Sequence, residues 1–282
     1  MLRSLLIVVV LSLAFIGSAT AAPAKPAPKT VPKDDRPAGT VGSGAISYEQ
    51  ISSGLQFLIA QKHGIAVNYV LPKGWEVVEK IIPGKDKTPG VFTTMSRRKM
   101  SDPSDPTDFI FELSVYEPNI TASIPKNLDK KAYDDAVGKR FREFLDAQLV
   151  VNIKGKNKVI SRAGDISPKA YGPRNDSGAT TRPPTTFVPI HYQVPPPKGK
   201  GEAAELYTFT GLTGGHIWQL KFLVNQDQLK VYESLIAMIV NNTFALTTEE
   251  QKKLEANTEA LKQRAKTTPK APAKSTKSKG KN

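Results

Sequence analysis

The chain of 282 residues contains no cysteine. This absence excludes disulfide bonds, thiolate metal sites, cysteine nucleophiles and the lipid-modified cysteine that tethers many exported bacterial proteins. Any folded domain in this chain therefore has to be held together by side-chain packing alone. Histidine is scarce as well, with three copies, and this limits the catalytic arrangements that depend on an imidazole base.

The chain also lacks an apolar run of about 20 residues, the length that a membrane-spanning helix needs. Residues 5–16 form a run of 12, apolar apart from one serine. Arg3 precedes this run, and a small-x-small site that ends near Ala21/Ala22 follows it, which is the pattern of a cleaved export signal. We therefore predict a signal peptide over residues 1–22 and an exported bacterial protein, either periplasmic or secreted.

Acidic residues are missing from the C-terminal end of the chain. Eight basic residues and no acidic ones lie within 262–282, namely Lys262, Arg264, Lys266, Lys270, Lys274, Lys277, Lys279 and Lys281. Residues 23–44 add a charge of +2, so only about +3 of the formal net charge of +14 remains for the middle of the mature chain. A nearly neutral middle does not support a specific nucleic-acid groove. The basic tail suits anionic envelope components, and a peripheral contact with a membrane is left open.

Composition and periodicity divide the rest of the chain into four segments. Residues 23–44 are rich in proline, alanine and glycine, which predicts a disordered arm. Residues 45–246 have the apolar periodicity of a single domain. Residues 247–265 are predicted to be a mostly polar, exposed helix, which Thr247-x-x-Glu250 caps. Residues 266–282 are predicted to be a basic disordered tail.

The first element of the domain is predicted to be a helix over residues 47–63. Ser47-x-x-Gln50 matches a capping box, and Gly64 suits the C-terminal cap. Apolar residues follow the capping box at helical spacing: Ile51, Leu55, Leu58 and Ile59.

Alternating apolar residues predict a series of strands after this helix. They cover 65–71, 75–82, 91–96, 108–117, 158–163, 186–194, 205–212 and 216–224. Two stretches, 128–150 and 229–242, instead have the 3.6-residue period of strong amphipathic helices, and Asp129 and Asn127 are the candidate caps of the first. Because helices interrupt a run of strands joined by short turns, we predict an α+β fold, a mostly antiparallel sheet covered by two amphipathic helices.

Short motifs at both ends of this domain resemble one known family. Residues 69–75 read YVLPKGW, a strand that ends in Leu-Pro before Lys-Gly-Trp opens the next strand. A Gly-Gly hairpin, the strand 216–222 and a helix that finishes in Asn242-Thr243-Phe244 form the last unit. Over roughly residues 65–246 the chain resembles the PsbP-type α/β/α sandwich family. The resemblance implies a PsbP-like sandwich, a fold used more for binding and accessory roles than for catalysis, and it carries over no functional residue.

The three histidines are the first candidates for catalytic or binding residues. None has metal-ligating spacing or a carboxylate beside it in the sequence. His63 is predicted at the end of the first helix, His191 on the outward face of a strand, and His216 in a hairpin. Whether neighbouring strands bring His191 and His216 together is left open.

A second candidate site is the stretch 165–185, which has no periodicity although it lies between two predicted strands. Loops of this length inside a domain are usually functional or disordered. Its side chains suited to recognition are Tyr171, Arg174 and Arg182. A binding loop and a mobile insertion both remain open as interpretations.

No residue pattern indicates a cofactor or a metal, and neither is expected. We predict a non-catalytic exported accessory or binding protein of the bacterial cell envelope, with an envelope protein or an anionic envelope component as its partner. One alternative is an envelope-polyanion binder that acts through the basic tail. Another is a hydrolase that uses His191 or His216.

Overall fold

The computed structural model describes residues 54–84, 90–97, 109–172, 184–196 and 201–267. The predicted signal peptide, the arm and everything beyond residue 267 lie outside these residues. The strands are β1 (Leu55–Lys62), β2 (Ile65–Pro72), β3 (Glu76–Ile82), β4 (Val91–Arg97), β5 (Phe109–Asn119), β6 (Lys158–Val159), β7 (Lys169–Tyr171), β8 (Thr185–Val194), β9 (Ala204–Thr213), β10 (His216–Asn225) and β11 (Phe244–Thr247). The helices are α1 (Lys130–Lys154), α2 (Leu229–Asn242) and α3 (Thr248–Thr267).

These strands form two antiparallel sheets. The large sheet has the order β3-β4-β5-β10-β9-β8-β6, with β7 also paired to β8, and the small sheet has the order β1-β2-β11. The predicted fold class, α+β with a mostly antiparallel sheet covered by helices, is confirmed. The second, smaller sheet is a feature that the periodicity did not predict.

Helix α2 and the small sheet cover one face of the large sheet, which we call the α2 face. Its core is aromatic: Phe109 stacks on Tyr232 of α2 at 4.6 Å between ring centroids, and Tyr69 of β2 lies 5.9 Å from Phe111. Helix α1 covers the opposite face, the α1 face, through smaller apolar clusters that include Phe141 and Leu145. The two amphipathic helices thus lie on opposite faces of one sheet.

The α1 face buries a charged pair at its centre. Lys221 Nζ lies 2.6 Å from Glu112 Oε1, and the side chains are only 16% and 11% exposed. Ser114 Oγ donates a hydrogen bond of 2.9 Å to the same carboxylate oxygen. Burial alone raises the pKa of Glu112, but the charge and hydrogen bond of Lys221 and the bond from Ser114 outweigh it and hold the pKa below its ordinary value. Burial lowers the pKa of Lys221, but the charge and hydrogen bond of Glu112 raise it by more, so the pKa of Lys221 lies above its ordinary value.

These opposite shifts predict a specific acid sensitivity. Since the pKa of Glu112 is lower in the folded chain than its ordinary 4.5, the pair stabilises the fold above about pH 4.5 and loses this contribution as pH falls through the folded pKa. Because the pKa of Lys221 is raised in the folded chain, its charge contributes to stability until the pH rises beyond its ordinary pKa of 10.5. Between pH 5 and pH 3, urea unfolding should show the wild type losing more stability than the variant E112Q/K221M. Parallel losses in the two proteins would contradict this prediction.

The predicted first helix is wrong over its described part. Residues 55–62 form strand β1, which pairs residue by residue with β2, from Lys62 opposite Ile65 onward. The two-residue turn His63–Gly64 joins the strands with φ values of 53° and 84°, the left-handed conformation that a type I′ hairpin requires. Tertiary pairing decides the outcome. The main chain of β1 forms hydrogen bonds with the N–H and carbonyl groups along one edge of the buried strand β2, and a helix cannot do this. The predicted start of the helix at Ser47 lies outside the described residues.

Helix α3 begins as its capping box predicts. The Glu250 N–H donates to Thr247 Oγ1 at 3.3 Å, and the Thr247 N–H donates back to Glu250 Oε2 at 2.9 Å. Gln251 is only 2% exposed and accepts a hydrogen bond of 3.0 Å from Asn68 of β2, so the base of the helix is fixed to the small sheet. Among the described residues, no helix is both long and apolar enough to span a membrane.

Candidate functional site

The candidate site lies at the outer edge of β8. Strand β6 pairs with Tyr192 and Gln193 at one end of β8, and β7 pairs with residues 185–187 at the other, both antiparallel. Residues 160–168, which join β6 to β7, therefore lie opposite only residues 188–191. Pro189, within that stretch, has no N–H to donate to a neighbouring strand. The segment 160–168, which we call the arch, leaves the edge of β8 and opens a groove.

Local hydrogen bonds hold the arch in shape. Its first residue, Ile160, donates its N–H to the carbonyl of His191 at 2.9 Å. Further along, the Asp165 N–H donates to the Arg162 carbonyl at 2.8 Å, and Asp165 Oδ2 accepts from the Arg162 N–H at 3.2 Å. Lys169 Nζ lies 3.5 Å from Asp165 Oδ1. The predicted strand over 158–163 is therefore wrong beyond residue 159, and the predicted structureless stretch contains strand β7.

The floor of the groove is formed by side chains of β8 and β9. His191 lies opposite Tyr207 across the two strands, and their rings stack at 4.2 Å with an interplanar angle of 11°. His191 Nε2 is 2.6 Å from Oε2 of Glu205, the diagonal neighbour on β9. The side chain of Glu205 is 7% exposed and that of His191 is 25% exposed, so the more deeply buried carboxylate holds the imidazole ring in one orientation.

Two phenols of the groove remain protonated at neutral pH. Burial, followed by the charges of Glu205 and Glu233, raises the pKa of Tyr207 to about 12. Burial also raises the pKa of Tyr171, whose ring meets Phe209 edge-to-face at 5.6 Å. Both hydroxyl groups can therefore serve as neutral hydrogen-bond donors to a ligand.

The groove has the size of a small-ligand site. Its volume is about 340 Å³, at the lower end of the range for ligand pockets. Aromatic and apolar side chains form most of the floor, and polar side chains form the rim. The lining residues are Ile160, Ser161, Arg162, Asp165, Lys169, Tyr171, Pro189, Ile190, His191, Tyr207 and Phe209.

The geometry differs from that of a hydrolytic triad. A triad places the imidazole between a carboxylate and the nucleophilic hydroxyl. Here Ser161 Oγ accepts the main-chain N–H of His191 at 2.8 Å, and within the described residues no hydroxyl is hydrogen-bonded to its ring. The described ranges also contain no group of three or more metal-ligating side chains placed to hold an ion. The arrangement provides a rigid surface with hydrogen-bonding groups at its rim.

The structure brings together two of the side chains proposed as binding residues. Tyr171 forms part of the wall of the groove, and His191 part of its floor. His191 has no carboxylate beside it in the sequence. In the folded chain, Glu205 of the adjacent strand β9 supplies one. Arg174 and Arg182 lie in 173–183, outside the described residues.

His216 does not join this site, so neighbouring strands do not bring His191 and His216 together. His191 of β8 lies opposite Tyr207 of β9, which in turn lies opposite Phe222 of β10. His216 lies at the other end of β10, roughly 20 Å from Phe222 along the strand. It stacks instead on His63, with ring centroids 6.4 Å apart, and its Nδ1 lies 3.4 Å from the Tyr116 carbonyl oxygen. His63 itself lies in the β1–β2 turn and not at a helix end.

The basic residues of the tail are only partly covered by the structure. Lys262, Arg264 and Lys266 belong to α3, which continues to Thr267, beyond the residue 265 predicted as its end. The other five lie outside the described residues: Lys270, Lys274, Lys277, Lys279 and Lys281.

Several groove residues escaped the sequence prediction, and two signals could have indicated them. The alternation in β9 places Glu205, Tyr207 and Phe209 on the same face, toward the α2 side of the sheet. Pro189 within an apolar strand indicates an edge where regular pairing is interrupted. Ser161, Arg162 and Lys169 had no such signal, since the arch brings them over the floor only in the folded chain.

Comparison with known proteins finds partial structural similarity only. No family model and no curated protein matches the chain. The solution structure of PsbP (CyanoP) from the cyanobacterium Synechocystis sp. PCC 6803 is similar at 16% identity, covers 73% of this chain and 99% of its own, and has a TM-score of 0.37. LpqN, involved in cell envelope biogenesis of Mycobacterium tuberculosis, is similar at 13% identity over 72% of this chain and 99% of its own, with a TM-score of 0.30.

A third similar structure is a protein of unknown function from Pseudomonas aeruginosa. It is 12% identical, covers 64% of this chain and 91% of its own, and has a TM-score of 0.28. PsbP, the first of these structures, carries the name of the family that the sequence motifs resemble.

Proposed function

We propose that this chain is a non-catalytic accessory protein of the bacterial cell envelope that binds a partner protein through the groove beneath the arch. The observation that carries the proposal is the His191–Glu205–Tyr207 floor, a preformed aromatic surface fixed by a bond of 2.6 Å beneath a rim of polar side chains. The export signal predicted over residues 1–22 supports the envelope as the place of action.

The charges around the groove favour a partner segment that carries a carboxylate beside an apolar side chain. Glu205 is hydrogen-bonded to His191, and Asp165 is paired with Lys169, so both carboxylates of the site already have partners within the chain. The exposed guanidinium of Arg162 makes no hydrogen bond or ion pair to any described residue. Arginine binds carboxylates through two parallel hydrogen bonds, while the Tyr171 and Tyr207 rings offer apolar contact.

The position of His191 favours binding over hydrolysis. Its Nε2 is engaged by Glu205, and one ring face is covered by Tyr207. A general base needs a proton donor within hydrogen-bond reach of its ring, and the nearby Ser161 hydroxyl contacts the main-chain N–H of His191 and not its ring. The hydrolase alternative predicts that His191→Ala abolishes activity in an esterase, phosphatase and peptidase screen.

The proposal predicts that Arg162→Glu reduces capture of the partner at least tenfold. The measurement is co-purification from envelope extracts with the mature chain as bait, at about 0.15 M salt, where the Debye length of about 8 Å leaves the charge of Arg162 effective at contact distance. Reversing Arg162 places a carboxylate against the carboxylate of the partner. Arg142→Glu, an exposed reversal on α1, is the matched control and should capture the partner like the wild type.

Deleting residues 262–282 separates the groove from the alternative that the basic tail holds the partner. We expect the truncated chain to retain the partner at high salt. Loss on truncation or in high salt, together with normal capture by Arg162→Glu, would instead assign binding to the tail and refute the groove proposal.

A further inference from the structure

The edge of the molecule where α1 ends and β6 begins combines exposed aliphatic side chains with lysines. Val150 and Ile153, in the last turns of α1, have exposed fractions of 37% and 58%. Lys154, Lys156 and Lys158 follow at every second position, and all three are exposed. We call these five residues the basic edge.

The positive charge of the basic edge has no acidic residue close by in the sequence. Residues 147–164 contain four basic residues and no acidic one, and the flanking carboxylates are Asp146 of α1 and Asp165 of the arch. Among the described residues, no ion pair or hydrogen bond engages the ammonium groups of the three lysines. The dipole of α1 favours a lysine in its last turn, but it does not account for Lys156 and Lys158, which follow the helix.

Buried contacts fix the main chain that carries these lysines. Asn157 Nδ2 donates a hydrogen bond of 2.9 Å to Asn152 Oδ1, and both side chains belong to residues that are only 5% exposed. Asn152 Nδ2 in turn donates to the Gln148 carbonyl at 2.9 Å. Lys156, within this turn, has a φ of 69°, the left-handed conformation that glycine adopts most readily. Val159 of β6 then packs against the apolar cluster beneath α1.

We infer that the basic edge docks the protein on the surface of a bilayer that contains anionic phospholipids. Lysines near such a surface are attracted to the phosphate head groups, and exposed aliphatic side chains between them enter the boundary with the acyl chains. A soluble polyanion would engage the lysines but would leave Val150 and Ile153 in water. The combination of the two kinds of side chain therefore favours a bilayer over a free polyanion.

This docking surface is separate from the groove. None of the five residues of the basic edge lines the groove, although β6 leads directly into the arch. Variants of the basic edge therefore change no groove residue, and the two proposals can fail independently.

The first test is co-sedimentation of the mature chain, residues 23–282, with vesicles. One set consists of phosphatidylcholine alone, and the other of equal parts phosphatidylcholine and phosphatidylglycerol. The wild type should bind the mixed vesicles preferentially. The variant K154Q/K156Q/K158Q should bind them on the order of 100-fold more weakly, since each lysine near an anionic surface contributes about fivefold.

The matched control is K126Q/K130Q/K131Q. It removes the same net charge from exposed lysines at the start of α1 and just before it. Because these lysines lie more than a Debye length of about 8 Å from the basic edge, the control should bind within about threefold of the wild type. The basic tail is present in every chain, so its own attraction to the vesicles cancels in this comparison.

A second measurement detects the contact with the bilayer directly. Because the chain has no cysteine, Ile153→Cys introduces a single site for an environment-sensitive fluorophore. Its emission should shift to the blue on the mixed vesicles and not on phosphatidylcholine alone. The same label at Lys131→Cys, an exposed position about 33 Å away along α1, should not shift.

A third variant, Ile153→Ser, separates a bilayer from a polyanion. It should weaken binding to the mixed vesicles at least threefold and leave binding to heparin, a soluble polyanion, unchanged. Unchanged vesicle binding by Ile153→Ser would overturn the inference and point to a polyanion site.

Two other results would also overturn the inference, provided that circular dichroism shows folded variants. Equal vesicle binding by the two triple-lysine variants would assign the contact to the basic tail. A label at residue 153 that stays in water, or one that shifts no more than the label at residue 131, would exclude docking through the basic edge.

Discussion

Replacing Lys221 with methionine is expected to lower the free energy of unfolding by about 3–5 kcal/mol at pH 7. The substitution keeps the aliphatic length of the side chain and removes the ammonium that lies 2.6 Å from Glu112. The Glu112 carboxylate then remains buried on the α1 face with Ser114 as its one other hydrogen-bond partner among the described residues. Urea unfolding followed by far-ultraviolet circular dichroism measures the loss.

Two further variants distinguish the loss of the pair from the loss of a charge alone. E112Q/K221M removes both charges and should recover most of the stability, since two neutral side chains of similar volume replace the buried pair. Lys169→Met breaks the exposed pair with Asp165, whose side chains are 42% and 56% exposed, and should cost at most about 1 kcal/mol. A cost below 1 kcal/mol for K221M would show that Glu112 finds another partner or is neutral.

Substituting alanine for Gly211 is expected to cost about 1–3 kcal/mol, although the change adds a single methyl group. Gly211 of β9 lies opposite Trp218, and a Cβ there would approach the indole ring to 2.8 Å. The indole cannot move aside, because it is fully buried and meets Phe187 edge-to-face at 5.0 Å. Its Nε1 also donates a hydrogen bond of 3.2 Å to Thr213.

The same substitution at Gly138 should raise the free energy of unfolding instead of lowering it. Gly138 lies inside helix α1, and, apart from its chain neighbours and the backbone of its own helix, no atom of the described residues lies within 4 Å of the position that its Cβ would take. Alanine there is expected to stabilise the fold by about 0.5–1 kcal/mol, since it loses less conformational entropy in a helix than glycine does. Denaturant unfolding of both variants provides the comparison, and equal effects at the two positions would contradict the packing account.

Elements with long, regular periodicity were predictable from the sequence. Helix α1 begins after its predicted cap, with Asp129 Oδ1 accepting the Ala132 N–H at 2.8 Å. The predicted hairpin at Gly214 and Gly215 has φ values of 56° and 82°, as a two-residue turn requires. In each case a few neighbouring residues determine the geometry, so their pattern is enough to predict it.

Strand β1 shows where a local pattern is insufficient. Leu55, Phe57 and Ile59 fit the alternation of a strand, but Leu55, Leu58 and Ile59 also fit one face of a helix. Pairing with β2, a strand buried on nearly every residue, resolves the ambiguity. Such pairing is a property of two segments together, and the propensity of one segment does not contain it.

The candidate site depends on tertiary structure for a similar reason. Tyr171 and His191 were predicted as separate candidates, and the pairing of β6 and β7 with the same edge of β8 brings them to one groove. The carboxylate that holds His191 belongs to β9, 14 residues away in the chain. Only the register of the two strands makes the two side chains diagonal neighbours.

The sequence by itself determined the α+β class, the two covering helices and the capped start of α3, together with the predictions of export and of a basic tail. These follow from composition and from periodicities that extend over a few turns or residues. The tertiary structure alone decided the small sheet, the buried Glu112–Lys221 pair and the arch over β8. Each of these depends on which distant segments pair and in which register, because strand pairing satisfies main-chain groups of one segment with those of another.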